Sequence, residues 1–167
     1  MPANIISGIT IKVKLSLLFL AILASFSFSL EPVSITPQAV LNLINEDRKS
    51  QGLTELTLDP RLNLAALAKA QDMISKNYFA HISPEGTKPW DWINNLGYRY
   101  TYAGENLAIG YNNPHELVNS WMSSATHRAN ILSPNYSDSG LAIVSYGDKK
   151  IIVQMFGTNS EKVSLGN

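Results

Sequence analysis

The sequence predicts an α+β domain whose helices pack against an antiparallel sheet. Two helical patterns occupy the first half of the chain, further helical patterns follow at residues 89–96 and 113–132, and two strand patterns joined by a turn lie near the end. Helical runs followed by a hairpin are typical of α+β domains rather than of folds that alternate strands and helices. The 167 residues suffice for one domain but not for two of ordinary size.

The first segment of the chain has the pattern of an export signal. Two lysines precede an apolar run over residues 15–24, which has the length of a signal-peptide hydrophobic region. A membrane span needs about 20 apolar residues, so the run is short for one. We predict a signal peptide over residues 1–30, with an uncleaved membrane anchor as the alternative. A secreted or extracytoplasmic domain over 31–158 and a polar tail over 159–167 would follow.

Composition excludes several classes of function. The chain has 13 basic and 13 acidic residues, and 11 basic and 13 acidic residues would remain after loss of residues 1–30. With no basic patch to hold phosphates, we expect no nucleic-acid partner. The chain contains no cysteine, which excludes thiol catalysis and thiolate metal sites. An exported domain without disulfides must be stable through its core alone, and this favours a bacterial export route.

The first two helices are predicted by N-cap residues that each precede a proline. Thr36 stands at the start of the first helix and Asp59 at the start of the second, which is predicted to run to about Lys76. Gly52 is placed to end the first helix. Residues 53–58 form a short connector. The second helix has an alanine-rich face, which allows another element to approach closely.

The middle of the chain is predicted as a loop, a short helix, an extended segment and a broken helix. Proline and glycine mark the loop over residues 77–87, and the pattern of residues 89–96 indicates one short helix. Alternating tyrosines over 98–102 predict a strand or extended segment. The long helix starts at Pro114 and is interrupted by small and hydroxylated residues over 123–126.

The end of the domain is predicted as a β-hairpin. Apolar residues alternate over 139–146 and continue over 150–156, and Gly147-Asp148 between them is a turn signal. Pairing of these two strands is therefore predicted to be antiparallel.

Three polar motifs and a closing strand resemble the CAP superfamily. The motifs are Ala-His-Ile-Ser-Pro-Glu-Gly over 80–86, Gly-Glu-Asn-Leu-Ala over 104–108, and a segment from Trp121 that ends in His-Arg-Ala-Asn-Ile-Leu at position 132. The strand contains Gln-Met-Phe-Gly over 154–157. That family includes cysteine-rich secretory proteins, antigen 5 and plant pathogenesis-related proteins, and this chain is similar to its short, cysteine-free bacterial form over residues 36–158.

The resemblance implies an α–β–α sandwich, in which a small antiparallel sheet lies between helices. It also implies a surface cleft where two histidines and acidic residues converge, and which holds a divalent cation in some members. By position, His81, Glu105 and His127 match these residues. The eukaryotic branch has a second glutamate three residues after the tryptophan of the long helix. Here that position is Ser124, so the set of four is incomplete, and Glu116 has no matching position.

Two imidazoles and one carboxylate are a plausible ligand set for zinc. The resemblance therefore implies a site for a divalent cation, such as zinc or calcium, at His81, Glu105 and His127. The same three residues are the candidates for catalysis. A purely structural interpretation also stands, in which His81 caps the loop at Ser83, His127 donates to a carbonyl at the helix break and Glu105 binds a nearby amide.

Other catalytic motifs are not supported. His115 and Glu116 begin a zinc-protease pattern, but position 119 is asparagine where a second histidine is required. Ser124 lies near His127, without the Gly-x-Ser-x-Gly turn that exposes a serine nucleophile. Trp92 and the tyrosines over 98–102 are candidates for an exposed aromatic face that binds a glycan or a lipid.

Three functions are compatible with these residues. We favour a non-enzymatic extracellular binding module for an envelope lipid, glycan or protein, because neither a nucleophile nor a second acidic residue is identifiable. The alternatives are a metal-assisted extracellular hydrolase that uses His81, Glu105 and His127, and a structural surface protein whose cleft is a relic. We expect a monomer that contacts a membrane only through an uncleaved N-terminal segment.

Overall fold

A computed structural model describes the backbone of residues 34–163 and the side chains of residues 34–161. The predicted signal segment over residues 1–30 lies outside this range. Within the range, no helix is both long enough and apolar enough to cross a membrane. Part of the predicted polar tail is ordered structure, since residue 159 ends a strand and a short helix follows it.

Six helices and four strands make up the described chain. The helices are α1 Pro37–Ser50, α2 Pro60–Ser75, α3 Pro89–Asn95, α4 Pro114–Ser123, α5 Ala125–Ile131 and α6 Ser160–Val163. The strands are β1 Thr57–Leu58, β2 Tyr100–Ile109, β3 Asp138–Tyr146 and β4 Lys149–Asn159. The predicted helices, the break between α4 and α5, and the final hairpin are confirmed.

The four strands form one sheet in the order β1-β3-β4-β2. The pairs β3–β4 and β4–β2 are antiparallel, whereas the two-residue β1 lies parallel to β3. The sequence predicted only a connector where β1 lies. It also predicted an extended segment over 98–102, whereas β2 continues to Ile109 and contains the whole Gly-Glu-Asn-Leu-Ala motif. β2 is an edge strand of the sheet.

The core lies on both faces of the sheet, as expected for an α–β–α sandwich. One apolar cluster joins α1, α4 and α5 to one face through residues such as Ile44, Trp121 and Phe156. The other joins α2 and α3 to the opposite face through residues such as Met73 and Met155. Neighbouring residues of β4 alternate between the two clusters because successive side chains of a strand point to opposite faces.

Side-chain caps fix where three of the helices begin. The Thr36 hydroxyl accepts a hydrogen bond from the Ala39 amide (3.1 Å), and the Asp59 carboxylate accepts one from the Arg61 amide (2.8 Å). Asn113 accepts two from the first turn of α4. Each cap pairs amide groups that the helix itself leaves free, and each precedes a proline.

The helix α2 approaches β3 so closely that a glycine is required between them. A Cβ atom at Gly140 would overlap the backbone of Leu62 and Asn63. The face of α2 that meets the sheet is rich in fully buried alanines, as the sequence predicted. This close packing places the middle of α2 directly behind the loop that contains His81.

A buried arginine ties α1 to the segment after α5. The Arg48 guanidinium donates to the carbonyl oxygens of Thr54, Ile131, Ser133 and Tyr136 over 2.7–3.2 Å. Burial lowers the pKa of this guanidinium. Because these bonds fix the chain on both sides of α5's end, they also fix the position of that helix against β2.

Candidate functional site

The centre of the candidate site is a hydrogen bond between His81 and Glu105. Glu105 lies in β2 with a side chain that is 2% exposed, and its Oε1 is 2.6 Å from Nδ1 of His81. The His81 side chain, which belongs to the loop between α2 and α3, is 58% exposed. The structure therefore brings together two of the three residues that the sequence singled out.

This hydrogen bond sets the chemistry of the His81 ring. An ionised carboxylate only accepts hydrogen bonds, so Nδ1 of His81 carries the proton that is shared with Glu105. In the neutral ring, Nε2 is then left with its lone pair. The exposed edge of His81 is consequently a hydrogen-bond acceptor, a base or a metal ligand.

The electrostatic environment of Glu105 is mixed. Burial raises the pKa of its carboxyl group, while the hydrogen bond and charge of His81 and the charge of Lys69 act in the opposite direction. Its second oxygen, Oε2, is buried and has no hydrogen-bond partner among the described residues. Such an unpaired buried acceptor is costly in a folded protein, and Trp92 and Gln154 each have one buried polar atom in the same state.

A buried lysine lies behind the pair. Lys69 of α2 is fully buried and donates hydrogen bonds to the carbonyl oxygen of His81 and to the hydroxyl of Tyr78, both over 3.0 Å. The Tyr78 hydroxyl in turn donates to Asp72 over 2.6 Å. Burial lowers the pKa of Lys69, and the charges of Glu105 and Asp72 oppose this. Lys69 thus holds the backbone at His81 against α2.

The rest of this loop is closed by its own hydrogen bonds. Ser83 binds Thr87 through two bonds, amide to carbonyl (2.9 Å) and amide to hydroxyl (3.1 Å). Lys76 at the end of α2 forms an ion pair with Glu85 over 2.8 Å. Because Ser83 supplies the hydrogen bonds across the loop while the His81 ring is bonded to Glu105, the predicted structural role of His81 as the cap of this loop is wrong.

The other side of the site is organised by Asn130 of α5. Its Nδ2 donates to the carbonyl oxygen of Glu105 (3.0 Å) and to Oδ1 of Asn106 (2.9 Å). Asn106, which points to the opposite face of the sheet from Glu105, donates to the carbonyl oxygen of His127 (3.3 Å). Asn130 therefore joins α5 to the edge strand, a role that the sequence did not predict.

His127 is half-buried beside Trp121, with ring centroids 6.4 Å apart. Its pKa is lowered by burial and then by the charge of His81. Between residues 34 and 163, no three His, Asp or Glu side chains are arranged to hold a metal ion. The metal site at His81, Glu105 and His127 stays a prediction.

A cleft of about 360 Å³ opens over the His81–Glu105 pair and across the edge strand. The loop before α3 and the start of α3 contribute most of its apolar residues, and the exposed Lys88, while β2 and α5 contribute Glu105 and Asn130. The lining residues are His81, Ile82, Lys88, Pro89, Trp90, Ala103, Gly104, Glu105 and Asn130. The predicted site residue His127 is not among them, and neither are Ser124 and Glu116.

The edge of β2 is covered by side-chain donors. The Tyr136 hydroxyl donates to the carbonyl of Ala103 (3.1 Å), and the Trp121 indole donates to that of Leu107 (3.2 Å). Asn130 donates to the carbonyl of Glu105, which lies between these two. A Cβ atom at Gly104 would lie 2.5 Å from the Tyr136 hydroxyl oxygen, so glycine is needed for this close approach.

The predicted aromatic face is exposed only in part. Tyr98 is fully buried and donates a hydrogen bond to Asp138 over 2.8 Å, whereas Tyr102 is 51% exposed. Trp92 packs partly buried against the core. Trp90 is also partly buried against the core and is the aromatic residue that lines the cleft.

Two relatives with similar sequences are bacterial. The chain is 44% identical over 115 residues to the uncharacterized protein YkwD of Bacillus subtilis, covering 69% of this chain and 45% of YkwD. It is 30% identical over 117 residues to the uncharacterized membrane protein YlbC of the same organism, covering 70% of this chain and 33% of YlbC. The chain thus spans less than half the length of these two relatives.

Solved structures share the fold. An outer surface protein of Borrelia burgdorferi matches 78% of this chain and 100% of its own with a TM-score of 0.67 at 23% identity. An extracellular protein of Bacillus anthracis that contains an SCP domain matches 74% of this chain and 44% of its own, with a TM-score of 0.64 at 27% identity.

The model of the cysteine-rich secretory protein family, CAP, matches residues 41–156. That range runs from α1 to β4 and includes the three polar motifs and the cleft. The chain therefore belongs to the CAP family, as a cysteine-free member.

Proposed function

We propose that this domain is an extracellular binding module, whose cleft captures a ligand of the cell envelope. The observation that supports this is the buried Glu105 carboxylate, which His81 fixes at the wall of a cleft while its second oxygen has no described partner. A cleft with apolar walls and a few fixed polar groups is typical of ligand sites. Similarity to an extracellular protein of Bacillus anthracis that contains an SCP domain supports an extracellular location for this domain.

The lining favours binding over hydrolysis. His81 is a candidate general base, but the described lining includes no serine, threonine or aspartate as a nucleophile, and its one glutamate, Glu105, is 2% exposed and bonded to His81. Ser124 lies at the junction of α4 and α5, where its hydroxyl contacts Thr126 (3.3 Å). A hydrolase at this site would depend on a water molecule activated by His81 or by a bound metal ion.

A divalent cation is a further proposal for the same cleft. The donor types fit, because His81 has a free Nε2 and Glu105 has an oxygen without a described partner. His127 lies outside the described lining, but burial and the charge of His81 lower its pKa, and it would supply the second imidazole. When bound, such a cation would act as a Lewis acid on an oxygen of the ligand. The charges of Lys69 and Lys88 oppose it, so we expect weak affinity.

The binding function is tested with fractionated envelopes. The purified protein is mixed with wall, lipid and surface-protein fractions, and the bound amount is compared between wild type, His81→Gln and Glu105→Gln. We expect one fraction to retain the wild type and both variants to bind at least about tenfold less, the equivalent of about 1.4 kcal/mol. His115→Gln, an exposed histidine outside the cleft, is the matched control.

Two results would contradict the binding function. Retention that is equal in all four proteins would place binding elsewhere on the surface. Absence of retention on any fraction, with lower thermal stability in the cleft variants, would favour the structural role with a relic cleft.

The proposed cation site is tested by thermal unfolding of the protein in the presence of zinc or calcium. A ligand that binds only the folded state, present at about 100 times its Kd, stabilises that state by about 2.7 kcal/mol. We expect the unfolding temperature to rise with cation concentration in wild type and to rise less in His81→Gln. An unchanged temperature up to millimolar cation would refute the site.

A further inference from the structure

The polar side of the cleft consists mainly of hydrogen-bond acceptors. Both N–H groups of Asn130 are used within the protein, by the Glu105 carbonyl and by Asn106, so its Oδ1 is the group left for a ligand. Since Nδ1 of His81 is held by Glu105, Nε2 is a second acceptor. A ligand that fits this side must therefore supply hydrogen-bond donors.

Charge decides which donors are suitable. Glu105 is the only carboxylate in the described lining, where one of its oxygens is bonded to His81 and the other is buried. Lys88 adds a positive charge at the rim. An organic cation would meet Lys88 at the rim and have only this buried carboxylate to bind. Neutral donors, such as hydroxyl and amide groups, suit the cleft better.

The opposite side of the cleft is apolar. Ile82, Pro89 and Trp90 line it, and Ile82 is 53% exposed. An exposed aliphatic residue and an indole ring that line the same cleft offer apolar surface to a flat apolar face of a ligand. The volume of about 360 Å³ is at the lower end of the roughly 300–1,000 Å³ of small-molecule sites.

Two other classes of ligand fit less well. An acyl chain has no donors for Asn130 and His81. An extended peptide would bind by adding a strand to β2, but Tyr136, Asn130 and Trp121 already occupy three successive outward carbonyls of that edge.

We propose that the ligand of this cleft is a glycan, with one pyranose ring lying against Trp90 and its hydroxyl groups donating to Asn130 and His81. A pyranose ring combines an apolar C–H face with an edge of hydroxyl donors, which matches the two sides of the cleft. This inference rests on the proposed binding function and names the ligand class for it.

The test is a titration of the full-length protein, followed by two-dimensional amide NMR. The probes are neutral tetrasaccharides of β-1,4-linked N-acetylglucosamine, of glucose and of galactose, each with EDTA present to remove cations. We expect saturable shifts at the Trp90 indole and at the amides of residues 103–105 with one of the sugars. Trp90→Ala should weaken this binding at least about tenfold, and Trp90→Phe, which keeps an aromatic face, should restore most of it.

Tyr146→Ala is the matched control, because Tyr146 is an exposed aromatic residue outside the cleft. Vesicles of phosphatidylglycerol are the competing probe. Binding to vesicles but to no tetrasaccharide would overturn the glycan proposal in favour of a lipid, and sugar binding unchanged by Trp90→Ala would overturn the assigned site. If no sugar binds while His81-dependent retention on an envelope fraction persists, the glycan class is wrong and the binding function stands. If neither occurs, both proposals fail.

Discussion

At the scale of single residues, two buried basic side chains, those of Arg48 and Lys69, hold segments of the chain in place through hydrogen bonds. Arg48 binds four backbone carbonyls, and Lys69 binds one carbonyl and one hydroxyl. Both hold irregular segments of chain whose carbonyl groups would otherwise be buried without donors. The sequence shows lysine and arginine at these positions but not their partners, which are distant in the chain.

Replacement of Arg48 by methionine tests the first of these roles. The variant keeps the apolar stem but leaves four carbonyl groups without their donor. At about 1–3 kcal/mol for each unpaired buried group, we expect the free energy of unfolding to fall by more than about 3 kcal/mol, measured by urea denaturation. Lys49→Met, at the neighbouring exposed position, should change it by less than about 0.5 kcal/mol.

Replacement of Lys69 by methionine tests the second. Without the bond to the carbonyl of His81, the loop over 78–87 loses its support from α2. We expect faster hydrogen exchange at the Ser83 amide, which is bonded to Thr87 in the wild type. Lys76→Met removes an exposed lysine that pairs with the same loop, and it should have the smaller effect. Equal exchange rates in wild type and Lys69→Met would refute this role.

Sequence alone identified His81 and Glu105 because both stand in family motifs. It did not identify Asn130 as a residue of the cleft, because the amide's two partners are in β2, more than twenty positions earlier. The available signal for the role of Lys69 was a charged residue within the alanine-rich face of α2. The sequence could not show what Lys69 binds, because tertiary contacts set the path of the loop that contains its partners.

At the scale of elements, the contact between α2 and β3 depends on the absence of one side chain. Gly140→Ala places a Cβ atom against the α2 backbone, which has no flexible end to move aside. Overpacking of this kind costs about 1–3 kcal/mol or more. We expect a lower unfolding temperature in calorimetry for Gly140→Ala, and little change for Ser145→Ala on the exposed part of the same strand. Similar temperatures for both would refute the close contact.

The N-cap of α2 should make stability depend on pH. Burial tends to raise the pKa of Asp59, but the hydrogen bonds and charge of Arg61 outweigh this and hold it below 3.8. The folded state therefore binds fewer protons than the unfolded state as the pH falls below the pKa that Asp59 has in the unfolded chain. The stabilisation by Asp59 is complete above about pH 4 and is lost as pH falls through the folded pKa.

We expect Asp59→Asn to keep the cap but to lose this dependence, so its stability should fall less than that of wild type between about pH 5 and 3, as followed by urea denaturation. Asp148→Asn, in the exposed hairpin turn, should behave as wild type. Parallel curves for wild type and Asp59→Asn would contradict the assignment.

The helices were predictable because caps and prolines are local signals. β2 was predicted only at its start. Its middle contains Gly104 and two buried polar residues, Glu105 and Asn106, where a strand ordinarily has apolar residues. The polar residues of the site therefore removed the apolar alternation by which the sequence would have predicted this part of the strand.

At the scale of the whole molecule, the covered edge of β2 bears on self-association. Tyr136→Phe with Asn130→Ala would free the carbonyl groups of Ala103 and Glu105, while the substituted phenyl ring would retain the stacking on Phe156. An exposed strand edge is a template for pairing with a second chain. We expect this double variant to form dimers or larger species in sedimentation velocity at concentrations where wild type is monomeric.

Tyr146→Phe also removes a tyrosine hydroxyl, one that binds Asn77 far from this edge, and it should sediment as wild type does. A monomeric double variant would show that the edge is protected by other means.

Glu105 and Asn106 are neighbours in sequence, yet they serve opposite layers of the sandwich. A shift of β2 by one residue in one direction would place Asn106 opposite His81 and Leu107 opposite Asn130, and a shift in the other direction would place Gly104 opposite His81 and Glu105 opposite Asn130. The register shift of β2 lies between Tyr100 and Tyr102, ahead of the motif, and the pairing with β4 is continuous from there to Ile109. An insertion or deletion between Gly104 and Asn106 would therefore separate the carboxylate from His81 or the amide from Asn130, so the length of this short segment is fixed by two contacts on opposite faces of the sheet.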